Sequence, residues 1–297
     1  MAKPTTNAER LVMISVQGKV ASPTARGDFE VDHEGKPFVL PGSGGIVYNI
    51  KVGDPVYGWI GDHVEPGVST TADEKDRSSK INAGYNFYAC IGNDAIVVSD
   101  EAKGSRGTVT GHHGGAEHVL IDFPDDVLEK LTLESKFLIR ACGQGLELLD
   151  YPQIKVYNLD PRLFDKMAIE DMSGKIRVPV AAIVPGKLMG SGVGSTRMAA
   201  GDYDIMTSDK EALRESGLER LRFGDIVAIT DHDNTYGRCY RKGAITIGVI
   251  IHGDCRFAGH GPGVSTILSS ASPLIEPEIR EGANIADILK LERGQSS

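Results

Sequence analysis

Residues 243–266 read GAITIGVIIHGDCRFAGHGPGVST, and residues 45–70 read GIVYNIKVGDPVYGWIGDHVEPGVST. Each opens on a glycine and an apolar, β-branched run, passes a Gly-Asp pair, and closes on Pro-Gly-Val-Ser-Thr. β-Branched side chains favour the pleated conformation, and Pro-Gly pairs punctuate it with turns. The two stretches therefore read as one β-unit used twice, with short non-helical connections. Two related halves are the expectation; chance recurrence in a glycine-rich chain is the competing explanation.

Outward from these stretches the chain continues in the same manner. Strand-like runs fall at 11–20, 46–52, 87–91, 95–98, 118–123, 137–142 and 154–157, then at 178–184, 226–229 and 245–251. Helical candidates are short: 126–131 behind Pro124-Asp125, 161–167, 210–221 and 285–292. The balance predicts an α+β fold dominated by barrel-like or sandwich-like sheets. Asp171-Met172-Ser173-Gly174 separates two β-rich stretches, which suggests halves 1–172 and 173–297 that could form one compact unit.

Glycine makes up 36 of 297 residues, about 12% against a usual ~7%, and lies in pairs between apolar runs, where it supplies turns and close backbone approach. The net charge of −9 argues against nucleic-acid binding, which needs clustered Lys and Arg. No apolar run approaches the roughly 18 residues of a membrane span. The start MAKPTTNAERLVMISV lacks the basic and apolar regions of a signal peptide, so a cytoplasmic protein is expected. Cys90, Cys142, Cys239 and Cys255 form no CxxC motif and read as reduced thiols rather than a zinc knuckle.

Four segments carry groups suited to chemistry. The stretch 111–118, GHHGGAEH, supplies His112, His113, Glu117 and His118. Clustered imidazoles with carboxylates suit a divalent transition metal, zinc among them. If this stretch is extended, His112 and His113 point to opposite faces. The stretch 253–264, GDCRFAGHGPGV, adds Arg256, a planar fork for an oxyanion, and His260 between glycines. Asp231-His232-Asp233-Asn234 follows a buried strand, with Arg238 downstream. Gly61-Asp62-His63-Val64-Glu65 echoes the second segment. Each also reads as a polar turn. The string Gly190-Ser191-Gly192-Val193-Gly194 has neither the spacing nor the lysine of a phosphate loop.

The phrases GDHVEPGVS (61–69), GHHGGAEHVLIDFP (111–124), IRACGQGLEL (139–148), GDYDI (201–205) and GHGPGV (259–264), taken together, resemble the bacterial family known as domain of unknown function 4438. The resemblance runs nearly the full chain. It implies a bacterial, cytosolic homo-oligomer and carries no catalytic assignment. A second resemblance, to acetamidase/formamidase-type amidohydrolases, lies in the order of Gly201-Asp202-Tyr203-Asp204, Phe223-Gly224-Asp225-Ile226-Val227 and Gly243-Ala244 to His260. This chain has Pro262-Gly263 where that family has an acid, so no ligand is carried over there.

These readings predict a metal-dependent hydrolase of a small polar substrate, an amide or cyclic amide. His112, His113, His118 and His260 are the candidate ligands of a divalent ion. Asp231 or Glu117 is the candidate general base, with His232 as proton relay. Arg238, Arg256, Asp62 and His63 are the candidate substrate-binding residues. A non-catalytic small-molecule binding protein and a metal-free lyase or isomerase are the alternatives.

Overall fold

The computed structural model describes residues 2–25 and 29–291. In the N-terminal half six antiparallel strands close on themselves. Ile14–Val20 pairs with Lys136–Ala141, which pairs with Asp94–Val97; Arg106–His113, His118–Asp122 and Gly67–Thr71 follow, and the last returns to Ile14–Val20. Closure leaves these strands without free edges. Val20, Val68, Val119, Ile121, Phe137 and Ile139 are fully buried in one cluster. Each such side chain stabilises by about 1.5–3 kcal/mol.

The C-terminal half builds an open sheet. Ala182–Pro185 runs parallel to Ile226–Asp233, which pairs antiparallel with Cys239–Ile250, and that strand with Gly263–Ser270. The far edge of Gly263–Ser270 takes both Tyr203–Asp204 and Lys155–Val156. The second of these comes from before residue 172. The largest core also crosses that point: Val52, Ile91 and Leu120 pack in one cluster with Ile226, Ile247 and Ile267. Glu170–Asp171, Ile176–Val180 and Ile275–Ile279 form a smaller sheet.

The β-rich class with short helices is as the sequence implies; several elements are not. The expected strand 87–91 is replaced by the helix Lys80–Tyr88, started by Ser79, whose Oγ accepts from Asn82 N at 3.2 Å. Its aromatic end imitates a strand. Of 46–52, only Ile46–Val47 is strand. The run 178–184 splits between two sheets as Ile176–Val180 and Ala182–Pro185. Gly217, at φ 67°, divides 210–221 into Lys210–Glu215 and the single turn Leu218–Arg220. The last helix is Ile285–Leu289, and Glu292 of the expected helix lies outside the described residues.

Gly67–Thr71 and Gly263–Ser270 are strands beginning on the Gly-Val-Ser-Thr that closes each half of the echo. Ser69, Thr70, Ser265 and Thr266 are fully buried in them, so no apolar alternation marks these strands. The loops preceding them join. His63 N donates to Asp254 O at 3.1 Å and Gly253 N to Val64 O at 2.9 Å. Among the described residues no helix is long and apolar enough to cross a membrane.

Candidate metal centre

The junction of the two echoing loops places His63 and His252 side by side, with ring centroids 5.0 Å apart. His113, last residue of Arg106–His113, completes the group at 4.3 Å from His252 and 5.6 Å from His63. One coordinating atom of each of the three lies within 4.8 Å of the others. Every Nδ1 is already engaged: His63 with Asp62 Oδ2 at 2.7 Å, His113 with Glu65 Oε1 at 2.5 Å, His252 with Gly253 O at 2.9 Å. Nε2 is then the nitrogen turned toward the rest of the cluster, and that of His63 also lies 3.2 Å from His260 Nδ1. A carboxylate or carbonyl behind the distal nitrogen is the arrangement that fixes the tautomer and aim of a metal-binding imidazole.

Asp202 and Asp204 join from the segment GDYDI. Two residues apart in extended chain, they face one way, and Tyr203 between them faces the other. Asp202, Asp204 and His252 again offer coordinating atoms within 4.8 Å. Asp202 Oδ2 and His252 Nε2 are 2.9 Å apart, yet they are not aligned as a hydrogen bond, and both are buried without another partner. Two ligands at right angles on bonds of about 2.1 Å stand about 3.0 Å apart, so this spacing fits two donors sharing one ion. Asp204 Oδ1 is 3.6 Å from His252 Nε2, and its Oδ2 is 2.9 Å from His260 Nδ1. Mixed imidazole and carboxylate donors suit a first-row transition ion better than magnesium or calcium, which prefer oxygen alone.

Gly263 makes the close approach of Asp202 and His252 feasible. A Cβ there would stand well inside 3.0 Å of Asp202 Oδ2 and His252 Nε2, closer than Cβ atoms come to other groups. His63 sits at φ 51°, a left-handed conformation costing about 1 kcal/mol for a non-glycine residue, and the pairing of the two loops holds it there.

The electrostatics favour positive charge at the centre. Burial opposes a charge on His252, but Asp202 and Asp204 reverse the balance and raise its pKa well above the ordinary imidazole value. Burial would raise the Glu65 carboxyl, yet His118 and His113 hold it well below the usual range. Glu65 is fully buried and also accepts from Gly44 N at 2.7 Å and from Ser69 Oγ.

The cluster borders a cavity of about 280 Å³, with His252 buried behind its lining residues. His63, His113, Asp202, Asp204, His260 and Arg238 are among its lining residues. Glu117 and Arg197 also line it, and Arg197 holds Glu117 through two hydrogen bonds of 2.9 Å.

Of the expected ligands, His113 and His260 are in the cluster and His112 and His118 are not. His112 faces away along the strand, with Nε2 2.6 Å from Ala89 O. His118 backs Glu65, with Nδ1 3.1 Å from both carboxylate oxygens. His63 is in the cluster and also lines the cavity, and Asp62 stands behind it, with Oδ2 2.7 Å from His63 Nδ1. Asp231, expected as a base, sits at φ 55° in a strand irregularity and accepts from Gly243 N at 2.7 Å. His232 is buried beside the Tyr203 ring, 5.5 Å between centroids, and is not among the residues lining the cavity. Arg256 is exposed and lies over Phe38. Sequence reasoning missed Asp202, Asp204 and His252 as site residues, and placed Glu65 in a candidate segment without a role. The alternation in GDYDI was the signal for the two aspartates; nothing local marked His252 over His260.

Residues 29–165 match the family described as "Domain of unknown function (DUF4438), N-terminal" and residues 166–289 its C-terminal counterpart. His63 and His113 come from the first region, and Asp202, Asp204, His252 and His260 from the second. The protein TM1086, known from a crystal structure, is similar to this chain at a TM-score of 0.91 and 51% identity, over 96% of this chain and 99% of that one. No curated protein matches the chain.

Proposed function

Since the chain belongs to the DUF4438 family, whose name assigns no activity, its function is argued from the site, and we propose a metal-dependent hydrolase of a small polar substrate, an amide or cyclic amide. The observation that carries this reading is the set of three imidazoles, each held from behind, converging with two buried carboxylates, of which His63, His113, Asp202 and Asp204 line one cavity. His63, His113 and His252, with an oxygen of Asp202 or Asp204, would hold the ion. A divalent ion there supplies Lewis acidity toward a carbonyl and toward water. The amide class comes from the shared order of Gly-Asp segments with the acetamidase/formamidase type.

His260 takes the proton-transfer role that the sequence assigned to Asp231 or Glu117, with His232 as relay. Its side chain is about 30% exposed, it lines the cavity, and its Nδ1 is 2.9 Å from Asp204 Oδ2. A carboxylate behind an imidazole orients it and supports the imidazolium formed as it accepts a proton. A cytoplasmic, homo-oligomeric protein belongs to the same reading, and sedimentation velocity checks the assembly.

The test is hydrolysis of linear and cyclic small amides by zinc- or manganese-loaded protein, before and after chelation. Turnover that stops on chelation and returns with metal is expected. Turnover insensitive to chelation would replace this reading with the metal-free enzyme; binding of these amides with no turnover would replace it with the binding protein.

A further inference from the structure

The cavity contains a second charged group that the metal chemistry does not use. Arg238 is 3% exposed and lines the same cavity. Its Nη1 donates to the backbone carbonyl of Asp202, and its guanidinium carbon lies 5.0 Å from the centre of the Tyr203 ring. These contacts fix the plane of the fork. The other two nitrogens, Nε and Nη2, are buried and have no hydrogen-bond partner. Together they form one edge of the guanidinium, whose spacing matches the two oxygens of a carboxylate. A buried donor left unmet is costly, and a charged one more so.

The neighbouring acids do not answer this edge. Asp202 Oδ1 accepts from Gly114 N at 2.6 Å while its Oδ2 faces His252. Asp204 faces His252 and His260. Glu117 is matched by Arg197. With a divalent ion balancing Asp202 and Asp204, Arg238 is the cation in this cavity with no counter-charge. Arg256 lies over Phe38 and has no place on the cavity wall.

We propose that Arg238 binds the carboxylate of an anionic substrate, a small amide acid, and so sets its amide carbonyl over the histidine cluster. This rests on the metal-hydrolase reading of the same cavity. The spacing follows from Asp202: its backbone carbonyl anchors the guanidinium and its side chain reaches His252, so the span of one residue separates the anion site from the metal site. Carboxylate and amide in the substrate are then only a few bonds apart.

The test uses zinc-loaded full-length protein and a matched pair of probes: N-acetylglycine, and N-methylacetamide, which keeps the amide and lacks the carboxylate. Inorganic phosphate is the third probe. By titration calorimetry, N-acetylglycine should bind at least about tenfold more tightly than either of the others, the scale of one charge-assisted fork contact. Arg238→Met should abolish that preference while elemental analysis shows its zinc retained. Arg238→Lys, which keeps the charge and loses the fork, should weaken it by about tenfold and serves if the methionine variant fails to fold. Equal binding of the matched pair, a stronger response to phosphate, or a preference unchanged in Arg238→Lys would overturn the proposal. Zinc bound without any preference overturns it alone; failure of the wild-type protein to bind zinc overturns the metal reading beneath it.

Discussion

Gly263→Ala is the smallest change that separates metal binding from folding. The added Cβ would stand inside 3.0 Å of Asp202 Oδ2 and of His252 Nε2 and Cδ2. Both side chains are buried, at 6% and 0% exposure, so neither can swing into solvent. Ordinary carbon contacts are about 3.5–4.0 Å, so each ligand atom must retreat by roughly half an ångström or more, whereas metal sites tolerate about 0.2 Å. The backbone can accept the residue, because Gly263 already pairs as a regular strand position opposite Asp204. Overpacking of this kind costs about 1–3 kcal/mol, a fall of roughly 2–10 °C in melting temperature at this chain length. Metal affinity should fall by more than about 100-fold, the upper end of what disturbing even the groups behind the ligands does. The assay is metal titration of the stripped protein followed by elemental analysis, beside a thermal melt with and without metal. A variant that folds and binds metal as tightly as the wild type would refute the assignment of Asp202 and His252.

Further substitutions divide the histidines by role. His112→Ala should lower stability by about 2–4 kcal/mol, because it empties a buried site and unpairs Ala89 O, yet leave metal content unchanged, as melts and elemental analysis will show. Glu65→Gln removes the charge behind His113 and His118 and should weaken metal binding about 10–100-fold, measured by competition with a chelator. Asp231→Asn should leave metal content and turnover within twofold of the wild type, since its carboxylate contacts Gly243 N away from the cavity. His260→Gln should keep the metal and lower kcat by about 10²–10⁴-fold in any assay where the wild type turns over.

The β-rich class was legible because apolar, β-branched runs between glycine turns survive in the sequence. The strands that carry the site were not: Gly67–Thr71 and Gly263–Ser270 bury Ser and Thr, and so lose the alternation by which a half-buried strand is recognised. The Gly-Asp echo pointed to the correct two loops, whose joining is a long-range event that spacing does not encode. His113 could be separated from His112 by pleat alone once the segment was extended. His118 could not be excluded that way. It lies on the neighbouring strand opposite His113, and only the position of Glu65 between the two shows that it supports the centre from behind. His252 was hidden because its Nδ1 partner is the carbonyl of the next residue, and its aim depends on two aspartates about fifty residues earlier in the chain.

The most direct test of the central claim is the metal content of tag-free protein and of its His112→Ala, His113→Ala and His252→Ala variants, by elemental analysis after dialysis. The account predicts about one divalent transition ion per chain in the wild type and in His112→Ala, and little or none in the other two. Wild-type protein that takes up no metal, or a His252→Ala variant that keeps it, would contradict the account.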